Sequence, residues 1–218
     1  MLIWLLLGLI IIGAIVFSSR NNKKPSPSNI LIANQIKIDN YLKENELDSG
    51  RKFMTNDFSN GIAYDEKTQK FAIISKTHTL KDGSFSYKFN HYSSSQLIES
   101  EVVIDNQSIY KTVRSSQLIG AAVGGAVFGG VGAIIGGLSG NKSKEDKIKS
   151  IQLKLTIDDL DSPSHKIDFL SNVNIYSGYQ NKNGYLKDSS EVRTALNHIE
   201  KWQGIMDIIL KQQNKASI

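Results

Sequence analysis

Apolar residues follow three rhythms along this chain, and each predicts a different kind of element. From Gly61 to Leu170 they mostly alternate with polar ones, the period of a strand with one buried face. Gly61 to Asp65 and Lys70 to Ser75 flank the Glu66-Lys67-Thr68 turn and predict a hairpin. Ser84 to Phe89 alternates around Phe85, Tyr87 and Phe89, and Gln96 to Ile104 pairs with Ser108 to Val113 across Asp105-Asn106. Ile151, Leu153, Leu155 and Ile157 mark a long strand, which returns at His165 to Leu170 after a turn containing Pro163. The second rhythm is helical. Val192, Ala195, Leu196, Ile199, Trp202, Ile205, Met206, Ile209 and Leu210 follow i, i+3, i+4, i+7 spacing, which predicts a helix over 189–213 with Ser189 or Ser190 as its cap. Ile32, Ile36, Tyr41 and Leu42 predict a looser amphipathic helix within 30–50.

The third rhythm is continuous apolarity, and it occurs twice. Met1 to Phe17 is almost wholly apolar and is followed by Arg20, Lys23 and Lys24. No basic residue precedes the run and no small-x-small pattern follows it, so it reads as an uncleaved anchor over 1–19 and not as a signal peptide. The positive flank predicts a single-pass membrane protein with its amino terminus outside and its body on the cytoplasmic side. Residues 20–29, with two of the three prolines among polar neighbours, read as an extended spacer.

The second run, Leu118 to Gly140 within an insertion at 117–142, holds nine glycines and no charge. Its small residues recur every fourth position: Ala121, Gly125, Gly129, Ala133 and Gly137 form one row. Gly120, Gly124, Gly132 and Gly136 form a second row, interrupted by Phe128. On a helix the rows share a face, the small-xxx-small pattern that lets helices pack closely in lipid. A straight helix of this length would measure roughly 34 Å and could span a bilayer, but a span would place the strands before and after it on opposite sides. A re-entrant or self-packed helical hairpin is therefore the expected form, with a single span or a glycine-rich loop as the alternatives.

Together these elements predict an α+β chain: an N-terminal transmembrane helix, then a mostly antiparallel β domain over 51–213. Seven or eight short strands closed by one C-terminal helix suggest a pleckstrin-homology-like barrel or sandwich, with the glycine-rich hairpin inserted into it. The formal charge of +5 is spread along the chain, which suits anionic lipid better than a nucleic-acid stripe. The absence of cysteine excludes disulfides and thiolate chemistry.

Catalytic and metal motifs are missing. His78, His91, His165 and His198 stand apart, Asp158, Asp159 and Asp161 crowd a turn that lacks the further ligands of a calcium loop, and no dinucleotide or phosphate-loop fingerprint is complete. The expected protein has no cofactor, no metal and no enzymatic activity.

Four segments carry a resemblance: GIAYDEKTQKFAII, HYSSSQLIESEVVIDNQSIYKT, GGAVFGGVGAIIGGLSG and IQLKLTIDDLDSPSHKIDFL, in that order. Over about half of the chain they resemble a group of uncharacterised bacterial and prophage membrane-associated proteins with a glycine-zipper insertion, some of which carry a SHOCT oligomerisation domain. The resemblance implies no agreed activity. The expectation is a non-enzymatic scaffold, sensor or interaction protein whose glycine segment contacts the bilayer or another copy. A pore-like assembly through the same segment is the alternative. The expected partners are the lipid bilayer, a second copy and an unidentified protein, and not nucleic acid.

Overall fold

The computed structural model describes residues 26–47, 50–114, 147–175 and 177–216. The expected anchor over 1–19 lies outside them, as does the glycine-rich run. Among the described residues no helix is long and apolar enough to cross a membrane.

The first helix, α1 (Pro27–Glu44), starts earlier than its apolar residues suggest. Ser26 caps it, accepting the Asn29 N–H on Oγ at 3.3 Å, and Pro27 occupies the first turn, where its missing N–H costs nothing. Residues 27–29, expected to belong to the spacer, are therefore the first turn of the helix. At the other end Glu46 takes a positive φ of 59° and the Leu47 N–H reaches back to the Leu42 carbonyl at 2.8 Å, closing the last turn. Asn34, Ile38 and Leu42, at i, i+4 and i+8, are the residues this helix buries.

Ten strands follow. β1 (Arg51–Met54), β2 (Asn60–Asp65), β3 (Lys70–Thr79) and β4 (Phe85–Ser93) form an antiparallel meander in that order. Its two faces are both covered: Ile62, Tyr64, Phe71 and Ile73 enter the main core, while Ala63, Ala72 and Ile74 meet Ile38, Leu42 and Leu47. That double burial explains why β2 and the first half of β3 are near-continuous apolar runs instead of clean alternations. A 3-10 turn at Ser94–Gln96 leads into the second sheet.

The second sheet contains β5 (Leu97–Ile104), β6 (Gln107–Val113), β8 (Ser150–Ile157) and β9 (Ser164–Ser171), in the order β6-β5-β8-β9. Asp105 and Asn106, both at positive φ (48° and 65°), make the two-residue turn between β5 and β6 that their residue types predict. A ribbon of β7 (Lys147–Ile148) and β10 (Tyr185–Leu186) completes the strands.

The C-terminal helix α2 (Ser190–Ala216) is the predicted stripe made real. Ser189 accepts the Val192 N–H at 3.3 Å, and Val192, Ala195, Leu196, Ile199, Trp202, Met206, Ile209 and Leu210 are all buried against the inner face of the second sheet. Burial of each large side chain in such a stripe contributes about 1.5–3 kcal/mol. A polar seam crosses the same interface. Asp207 accepts from Tyr110 (2.9 Å), Thr112 (2.6 Å) and Gln203 (2.8 Å), and Gln203 also reaches Ser100 at 2.8 Å. Two antiparallel sheets closed by a C-terminal helix match the expected pleckstrin-homology-like architecture.

Candidate functional site

All nine helix-packing residues expected from the sequence, Gly120, Ala121, Gly124, Gly125, Gly129, Gly132, Ala133, Gly136 and Gly137, lie outside the described residues. What surrounds them is the pair of strands that the insertion joins, and their directions are informative. β6 and β8 flank β5, and both run antiparallel to it. They therefore run parallel to each other. Val113, where β6 ends, sits opposite Glu99, whereas Ile151, near the start of β8, sits opposite Ile104. The chain leaves at one end of β5 and comes back at the other, about 20 Å along the strand and about 10 Å across it. A connection of this kind is a crossover, not an enlarged β-turn.

Both roots are pinned. At the departure, the Arg114 N–H donates to the Ile98 carbonyl (2.9 Å) and its guanidinium donates to the Leu97 carbonyl from Nε (3.0 Å) and Nη2 (2.7 Å). At the return, the turn residue Asp105 accepts the N–H groups of Lys149 and Ser150 on Oδ1, each at 2.9 Å. Gly184, at φ +76°, packs so tightly on the Ile148 carbonyl that a Cβ would lie 2.8 Å from it, and this lets β10 pair with β7 beside the return.

The return adjoins a cleft of about 570 Å³, since Tyr185 of β10 is one of its walls. The other walls are β1 with the turn after it, the end of β9, the loop at 173–175 and the first turns of α2. Phe53 stacks on Phe169 with ring centroids 4.2 Å apart, and His198 tilts against Phe53 at 5.4 Å. Asn60 and Asp168 stitch the two sheets together by a reciprocal pair. The Asn60 Nδ2 donates to Asp168 Oδ2 and the Asp168 N–H donates to Asn60 Oδ1, both at 3.0 Å. Gln152 donates to the second Asp168 oxygen at 2.7 Å. Asp57 accepts from the Ser59 N–H (3.1 Å) and, across the cleft, from the Ile175 N–H (2.9 Å). Burial pushes the Asp57 carboxyl upward, but the donors from Ser59, Ile175 and Thr55 outweigh it and hold the group below its ordinary range. Glu191 is held low by its own backbone N–H and the Ser190 hydroxyl. Lys52, also on the cleft wall, forms an ion pair with Asp39 of α1.

The polar side chains of the cleft hold its walls together. Its carboxylates hold loops in place, and among the described residues no three His, Cys, Asp or Glu side chains gather where a metal could sit. The cleft carries no sequence motif. Its walls come from segments more than a hundred residues apart, and the Phe53–Phe169 pairing is the one feature that alternation within two separate strands could have hinted at.

Residues 51–171, which hold both four-stranded sheets, β7 and the whole insertion, match the family described as "Glycine zipper containing PH domain". The chain belongs to that family. Over 123 residues it is 45% identical to "Immunity protein" of Bacillus phage SPbeta, covering 56% of this chain and 58% of the relative. Over a stretch of equal length it is also 45% identical to "SPbeta prophage-derived uncharacterized membrane protein YomJ" of Bacillus subtilis (strain 168), covering 56% and 52%. The chain thus spans little more than half the length of these relatives. No solved structure gives a significant match. The prophage character and the glycine-zipper PH domain agree with the resemblance drawn from the sequence, whereas these matches show no relation to SHOCT proteins.

Proposed function

We propose that this chain is a membrane-anchored, non-enzymatic interaction protein of prophage type, whose PH-like domain holds a glycine-zipper crossover for contact with the bilayer or with another copy. The supporting observation is the crossover itself. A gap of roughly 22 Å needs about seven extended residues, yet 32 residues, 115–146, fill it. The excess, and its small-residue rows, serve something other than connection. The anchor predicted over 1–19 and the membrane-protein name of one relative support the location. The name of the other relative supports protection of the cell that carries the protein as its biological role.

The test is cross-linking of the full chain in bacterial membranes. Gly125→Leu and Gly129→Leu should each weaken oligomer bands severalfold while the protein stays in the alkali-washed membrane fraction. Unchanged bands in both variants sink the self-association reading. The chain has no cysteine, so single introduced cysteines report topology cleanly. Position 67 should resist an impermeant thiol reagent in intact cells, and labelling there overturns the cytoplasmic placement.

A further inference from the structure

We propose that the cleft between β1, the end of β9 and the start of α2 is a docking groove for a partner protein, and that it takes a short segment carrying lysine or arginine beside apolar residues. This rests on the interaction-protein reading only in taking the occupant to be protein. It is independent of the glycine zipper.

Size and shape come first. About 570 Å³ lies within the range of sites that enclose several side chains. Its Phe53–Phe169 stack supplies an apolar floor. Val173 and Ile175, on the rim, leave 37% and 51% of their surfaces exposed, so the apolar surface continues out of the groove toward solvent. Charge then selects the occupant. The protein as a whole is positive, at +5, but the groove is lined by Asp57, Asp168 and Glu191 against Lys52, and Lys52 is already paired to Asp39. Asp57 and Glu191 are both held in the ionised form. A long basic side chain satisfies both features at once, laying its aliphatic stem on the phenylalanine pair and its charge beside the carboxylates. An acidic segment would meet three carboxylates and, among the described residues of the groove, no cation but the already paired Lys52, which opposes its binding.

The experiment uses the full chain in maltoside micelles and a fluorescein-labelled hexapeptide, Ala-Lys-Phe-Arg-Ala-Lys, with a counterpart in which glutamate replaces each basic residue. Anisotropy should show saturable binding of the basic peptide that weakens as salt rises from 50 to 500 mM, and none of the acidic one. Glu191→Lys and Ile175→Asp change exposed side chains, so both variants should stay folded, with the parent circular-dichroism spectrum at 25 °C, while each weakens binding at least fivefold. Photo-cross-links should fall in 52–59, 173–175 or 190–198. No binding at 1 mM, equal binding of the acidic peptide, or parent affinity in both variants overturns the proposal. Since these readouts use neither oligomerisation nor the glycine segment, the groove can fail while the zipper reading stands, and the reverse.

Discussion

Asp105 Oδ1 accepts the Ser150 N–H at 2.9 Å, and with it the Lys149 N–H, so the turn between β5 and β6 also fixes the place where the chain returns from its glycine-rich crossover. A side chain chosen for a tight turn thereby registers β8 against β5. Asp105→Ala removes that acceptor and also puts alanine at a φ of 48°, which disfavours it. We expect a loss of about 2 kcal/mol in urea unfolding. Asp105→Asn, which keeps an acceptor and tolerates the turn, should lose under half of that, and equal losses would show that the returning strand does not depend on the bond.

The crossover geometry sets a length rule. Because Val113 and Ser150 lie at opposite ends of β5, replacing 115–146 with a Gly-Ser linker of about 12 residues should leave a folded domain with native melting behaviour. Linkers of two to four residues cannot bridge roughly 22 Å and should give unfolded or domain-swapped protein. Circular dichroism and size-exclusion chromatography of the series decide it. A folded monomer with a two-residue linker would mean that β6 and β8 do not run as described.

Much of this was legible in the residues, and the reasons differ by element. The hairpins were readable because alternation and turn chemistry agree, as at Asp105-Asn106, and α2 because its apolar stripe is long. The pairing of β8 with β5 was not readable: alternation tells which face a residue takes but not which neighbour its strand joins. β7 and β10 pair over two residues each and are too short to carry a pattern. Pro27 reads as spacer until Ser26 is seen to cap the helix, when the same residue becomes a helix start. The cleft was invisible for a simpler reason. Asn60 and Asp168 are 108 positions apart, and nothing local in either marks the other.

Beneath α1 the Tyr87 hydroxyl is buried with no hydrogen-bond partner among the described residues. Burial, followed by the negative charge of Asp57, pushes its ionisation far upward, so it is a neutral donor in a place that does not use one. Tyr87→Phe keeps the ring in the cluster formed with Ala63, Ala72 and Ile74 and removes only the unpaired oxygen. The domain should gain about 1 kcal/mol, seen as a higher urea midpoint. A loss of stability would mean that the hydroxyl is bonded, for instance through water.

Two histidines give the domain a pH dependence whose sign follows from burial. His91 packs edge-on against Tyr41 at 5.2 Å, and His165 Nε2 lies 2.9 Å from the Tyr92 hydroxyl. Desolvation lowers both imidazoles below their ordinary value, helped at His91 by Lys70. In the unfolded chain they protonate near pH 6.5, so as pH falls below that point the unfolded state binds more protons than the folded one. Stability should therefore be fully present above about pH 7 and decline through pH 6 toward pH 5, before the low-titrating Asp57 and Asp159 carboxyls add their own loss at lower pH. Urea midpoints at pH 7.5, 6.5 and 5.5 should fall in that order. The double substitution His91→Gln with His165→Gln should flatten the series over the same range, and an unchanged slope in that variant would assign the dependence to other groups.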